Sequence, residues 1–158
     1  MRLLALMFAG LAVAAPACGA ADYQVRGDRQ GEVNGRSFEF VSTKPDGTEW
    51  TFRARGNSLW VGYVGEEKVD DLGETLLTAA EATRLWELVD LVDVGGRRPG
   101  REDRKRGTVT LRLREPGDVG HELTTVRLSR RTDDADVLAL ADFLIDLVAR
   151  HHHVEPAF

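Results

Sequence analysis

The chain has 158 residues and a formal net charge of −5, from 26 acidic and 21 basic side chains. One domain fits this length and two do not fit comfortably, and the acidic balance argues against a nucleic-acid partner, whose phosphates call for clustered Lys and Arg. The one cysteine, Cys18, excludes an internal disulfide, although a domain of this size buries enough surface to be stable without one.

Arg2 is followed by an uninterrupted apolar run from Leu3 to Ala15, then by Ala15-Pro16-Ala17 and Cys18. A basic start, a short apolar stretch and a small-residue end are the layout of an export signal. The run is well short of the roughly twenty apolar residues that span a membrane. A small-residue stretch closing on cysteine resembles the lipobox of bacterial lipoproteins. That resemblance implies removal of residues 1–17, acylation of Cys18 and a mature chain held at a membrane by lipid. Ordinary cleavage after Ala17 or Ala20, and an uncleaved anchor, are the alternatives offered by the same residues. Losing Arg2 leaves the mature chain with a net charge near −6. Residues 18–36 are polar and studded with glycine, a composition that suits a flexible tether.

Apolar alternation begins at Phe38 and Phe40, so residues 37–43 read as a strand. Lys44-Pro45-Asp46-Gly47 is a turn. Trp50, Phe52 and Ala54 alternate with charged neighbours in a second strand, and Leu59 to Val64 make a third. Gly65 to Gly73 is acidic and reads as a loop. Thr78-Ala79-Ala80-Glu81 fits a capping box, and Ala82, Leu85, Trp86, Val89 and Val92 follow at helical spacing to about Asp93, with Gly95-Gly96 as the stop. Val109, Leu111 and Leu113 mark a fourth strand, Glu115-Pro116-Gly117-Asp118 a turn, and Leu123 to Ser129 a fifth strand. Asp133, Asp134 and Asp136 suit a helix N-terminus, and the stripe Val137 to Val148 gives a second helix ending near Arg150. The expected fold is α+β, a mostly antiparallel sheet of about five strands with two helices on one face, in the order βββ-α-ββ-α. It occupies residues 37–150, leaving 151–158 as a tail.

Few residues carry a chemical signature. His121-Glu122 begins like a zinc-protease motif, but Thr125 stands where the second histidine belongs. The mature region has no thiol nucleophile, no nucleophile elbow around a serine and no phosphate loop. Cofactor-dependent and nucleophilic enzyme classes are therefore not expected, and neither is a cofactor. His151, His152 and His153 are the weak metal candidates, since three consecutive helical residues point about 100° apart and do not converge. The loop from Arg97 to Arg106 carries Arg97, Arg98, Arg101, Arg104, Lys105 and Arg106, a candidate site for an anionic partner. Trp50, Trp60 and Trp86 read as core, with Trp60 the most easily exposed.

From Phe38 onward, the helix opened by Leu77-Thr78-Ala79-Ala80-Glu81, the hairpin around Glu115-Pro116-Gly117 and the closing helix with Leu138, Leu144 and Leu147 are similar to small bacterial domains of the emfourin type. That resemblance implies a proteinaceous inhibitor of thermolysin-like metalloproteases. The leading expectation from the residues themselves is a lipid-anchored, non-catalytic binding domain of the bacterial envelope. Its partner would be a protein or envelope component, and its membrane contact the lipid on Cys18.

Overall fold

A computed structural model describes residues 35–157, so the segment expected to be an export signal, Cys18 and nearly all of the expected tether lie outside the described residues. Six strands form one antiparallel sheet: β1 (Ser37–Thr43), β2 (Glu49–Arg55), β3 (Ser58–Val64), β4 (Val69–Leu76), β5 (Thr108–Gly117) and β6 (Gly120–Ser129). Their order across the sheet is β4-β3-β2-β1-β5-β6. The first four strands are a meander running outward from β1, and the β5–β6 hairpin adds to the other side of β1. Two helices, α1 (Ala79–Val92) and α2 (Ala135–His152), follow the two halves of the sheet and pack against each other.

The period-two pattern decides which face is covered. Phe38, Phe40, Trp50, Phe52, Ala54, Leu59, Val61, Val109, Leu111, Leu113 and Val126 point inward and share one core with Leu85, Trp86, Val89, Leu140, Leu144 and Leu147 of the helices. Trp86 is fully enclosed, and its indole N–H donates to the Gly56 carbonyl at 2.9 Å. The alternate residues, among them Glu39, Arg53, Trp60, Arg112 and Thr125, lie on the opposite face, which neither helix covers.

Several boundaries differ from the sequence reading: β6 opens at Gly120 rather than Leu123, and α2 runs to His152, taking in the first two residues of the expected 151–158 tail. Strand β4 begins inside the acidic segment read as a loop and runs past it to Leu76, so the sheet has six strands rather than about five. Asp70, Asp71 and Glu74 are tolerated because β4 is an edge strand pairing only with β3, where charge discourages pairing with a further chain. A register shift opposite Val61 and Gly62, with Gly73 at φ +84°, lets the strand bend through its glycine. Helix α1 shows the capping box at Thr78 and Glu81 and closes at Asp93, where its stripe was expected to end, but the stop is Asp93 itself rather than the glycine pair. Asp93 takes the left-handed conformation itself and accepts from the Gly96 N–H, as short polar side chains can. Strand β5 runs on through Pro116 to Gly117, and the turn is Asp118-Val119 alone. Proline is accepted there because β1 ends opposite Arg114, so Pro116 needs no donor on that side.

Candidate functional site

The basic loop between α1 and β5 divides into a structural anchor and an exposed remainder. Arg97 makes a bidentate pair with Asp134, the N-cap of α2, and its Nε–H donates to the Val92 carbonyl at the end of α1. It therefore ties the end of one helix to the start of the other. The side-chain hydrogen bond from Arg97 is also the main reason the Asp134 carboxyl is held below its usual value. Gly100 crosses so close to the Arg127 carbonyl that a Cβ there would sit 1.8 Å from the oxygen. Asp103 accepts from the N–H groups of Lys105 and Arg106 in a tight turn. Arg98, Arg101, Arg104, Lys105 and Arg106 remain exposed, and Arg104 pairs with Glu102 at 3.1 Å.

The three histidines diverge. His151 lies 3.2 Å from Glu81, His152 is 2.9 Å from the Thr75 hydroxyl, and His153 is the exposed left-handed cap of α2. Among the described residues no group of three or more His, Cys, Asp or Glu side chains is placed to hold a metal. Glu81 is the hub of this corner. Burial works against its ionisation, but bonds from the Thr78 backbone and hydroxyl and from His151 outweigh it and bring the carboxyl down to about 2. Arg150 adds an ion pair at 2.5 Å. Burial, with its two histidine neighbours, lowers the His152 pKa.

The uncovered sheet face holds a more organised arrangement. Strand register aligns Trp60, Arg53, Glu39, Arg112 and Thr125 in one row running across the strands. Glu39 accepts from Arg53 at 2.8 Å and from Arg112 on the other side, so one carboxylate joins two guanidinium groups. Burial opposes its ionisation, and the two arginine bonds overcome that and lower its pKa. The Arg53 guanidinium also lies over the Trp60 indole, 4.7 Å from the ring centre, a cation–π contact. That indole also lies against Gly62, where a Cβ would come within 2.4 Å of the ring. Trp60 is thus half-buried on the outer face, whereas Trp50 and Trp86 belong to the core.

The next row along the sheet contains Ser58, Arg55, Ser37, Arg114 and Leu123. Together the two rows line a groove of about 480 Å³, within the size range of ligand sites. Arg53 and Arg112 share the single carboxylate of Glu39, and Glu74 accepts from Ser58. Arg55 and Arg114 are exposed and make no ion pair among the described residues. The groove therefore carries a local positive charge on an acidic chain.

The sequence reading named none of these residues as a site. The available signal was two Arg-x-Arg pairs, Arg53/Arg55 and Arg112/Arg114, at outward positions of two strands. Their proximity depends on β5 pairing with β1 across more than seventy residues of chain, which spacing within a strand does not disclose. Neither a family model nor a curated protein matches this chain.

Proposed function

We propose that this protein is a non-catalytic binding domain of the bacterial envelope, exported by residues 1–17, held by lipid at Cys18, and engaging a partner through the open face of its sheet. The address rests on the Leu3–Ala15 run and the small residues before Cys18. The working surface rests on one observation: the face without helices carries a preorganised Trp–Arg–Glu–Arg row beside two arginines that have no carboxylate partner among the described residues. A merely solvated sheet face needs neither a stacked indole nor a groove. Strands are a stiff scaffold, so side chains presented on them keep their geometry before a partner arrives.

Two measurements test the two halves. The mass of the mature N-terminus, compared with that of a Cys18→Ala variant, is expected to show a diacylated or triacylated Cys18. An unmodified soluble chain refutes the anchor. Photocrosslinking side chains placed at Thr125 on the open face, and at Asp142 on the exposed side of α2, are compared in intact cells. A discrete adduct from Thr125 alone is expected. Adducts from Asp142 alone, or equally from both, refute the assignment of the face.

A further inference from the structure

The two rows of the groove differ at one position. In the first, β1 places Glu39 between Arg53 of β2 and Arg112 of β5. Two residues earlier on the same face, β1 pairs Ser37 with Arg114, and the β1–β2 register continued one step past Phe38–Ala54 sets Arg55 on its other side. The arginine arrangement is repeated, but the acidic side chain between the two arms is replaced by a short hydroxyl. Strand spacing puts the α-carbons of Arg55 and Arg114 about 10 Å apart, so both guanidinium groups can reach a single group above Ser37.

We propose that Arg55 and Arg114, with the Ser37 hydroxyl, grip a carboxylate from an acidic segment of a partner protein. This deepens the binding function proposed above and rests on it. A carboxylate is favoured because the neighbouring row already shows that chemistry, with Glu39 held between the equivalent arginines. Guanidinium groups match a carboxylate through paired hydrogen bonds. A protein segment is favoured over a small acid by the length of the groove. Its ends are Trp60 on β3 and the exposed Leu123 on β6, separated by four strand spacings, or about 19 Å. An extended segment of about six residues spans that distance, with its acidic residue at the centre and apolar side chains toward the ends. Glu74 at the β3 end confines the favourable position for the acid to the Arg55–Arg114 side.

The test fills the position from within and then probes it from outside. In Ser37→Glu, the introduced carboxyl is expected to titrate below its ordinary range, as Glu39 does, and an ordinary titration overturns the proposal. If that variant does not fold, Ser37→Asp and the arginine variants carry the same test. Poly-L-glutamate is titrated into the isotopically labelled mature protein. The Nε–H signals of Arg55 and Arg114 are expected to shift, and Arg55→Gln or Arg114→Gln to weaken binding about tenfold each. Ser37→Glu should abolish the shift, whereas Arg131→Gln should leave it unchanged. Shifts confined to the Arg97–Arg106 loop overturn the proposal. Equal or tighter saturation by glutarate or inorganic phosphate overturns the assignment to a protein segment. If the groove fails these tests while the Thr125 crosslink persists, the open face stands and the carboxylate assignment alone falls.

Discussion

Replacing Arg97 with methionine tests whether the most constrained basic residue of the α1–β5 loop serves the fold. Methionine keeps an apolar stem of similar length and removes the charge. In the native chain Arg97 makes two hydrogen bonds to Asp134 and one to the Val92 carbonyl. The side chains of Arg97 and Asp134 are 23% and 26% exposed, so solvent screening reduces the pair without removing it. Charge-assisted hydrogen bonds contribute about 1.5–3 kcal/mol where they are sheltered. After discounting for partial exposure, Arg97→Met is expected to cost about 2 kcal/mol and lower Tm by about 8 °C. Urea unfolding of Arg97→Met, Asp134→Asn and the double variant should give a coupling energy of about 1 kcal/mol or more. The sign of the pH dependence follows from Asp134. Its folded-state pKa is lowered, so its contribution is complete above the ordinary carboxylate range and is lost as pH falls through the lowered value. The deficit of Arg97→Met should therefore shrink in acid. Arg98→Met, at an exposed position, should change stability by less than about 0.5 kcal/mol. A loss for Arg97→Met no larger than that, or a coupling near zero, refutes the helix-tie reading and returns Arg97 to the pool of surface cations.

The seat of Trp60 makes a second prediction: Gly62→Ala should cost about 1–3 kcal/mol by overpacking, because its Cβ would meet the indole at 2.4 Å. In a Trp60→Ala background the same change should cost almost nothing, and additive effects in denaturant titrations would contradict the contact. Glu81→Gln retains an acceptor for the Thr78 backbone but loses its charge toward Arg150 and His151, for an expected loss of about 1 kcal/mol at neutral pH. Because the Glu81 carboxyl is lowered to about 2, the difference from wild type should fade as pH drops from the ordinary glutamate value toward that figure. A difference that grows in acid would reverse the sign of the argument.

Local chemistry in the sequence carried much of the fold. Residues 37–43 were readable as a strand because Phe38 and Phe40 alternate with polar neighbours, and α1 because Thr78 and Glu81 form a cap found in the structure. Strand β4 was hidden for a physical reason. Its partial burial alternates weakly, and its aspartates and glycine are poor strand formers. It forms because β3 supplies a partner along one side, a tertiary cause absent from its own residues. The α1 stripe ends near Asp93 as its spacing indicates, but the stop is Asp93 rather than Gly95-Gly96, because Asp93 takes the glycine's role with the Gly96 N–H within reach of its side chain. Arg97 and Arg98 are adjacent in the chain and chemically identical, and what separates them is the arrival of Asp134 from α2.

The overall charge was the least informative number for the candidate site. A net charge of −5 describes the chain as seen from a distance. Within about 8 Å, the screening length at physiological salt, a partner feels only the groups it approaches. The fold sorts those groups. Exposed carboxylates lie along the β4 edge at Asp71 and Glu74 and on the helices at Glu87, Asp90, Asp136, Asp142 and Asp146, while Arg53, Arg55, Arg114 and Arg127 are exposed on the open face. An acidic segment drifting toward this protein is repelled by the helix layer and the β4 edge, and finds favourable contact across the middle and far strands of the sheet and at the exposed cations of the α1–β5 loop. Raising ionic strength should therefore weaken binding at the groove while easing the background repulsion. The two effects separate in kinetics, because the repulsion acts on the association rate and the buried pair on dissociation. For poly-L-glutamate, salt should increase dissociation far more than it changes association. Equal and opposite changes would mean that the groove acts only through the long-range field.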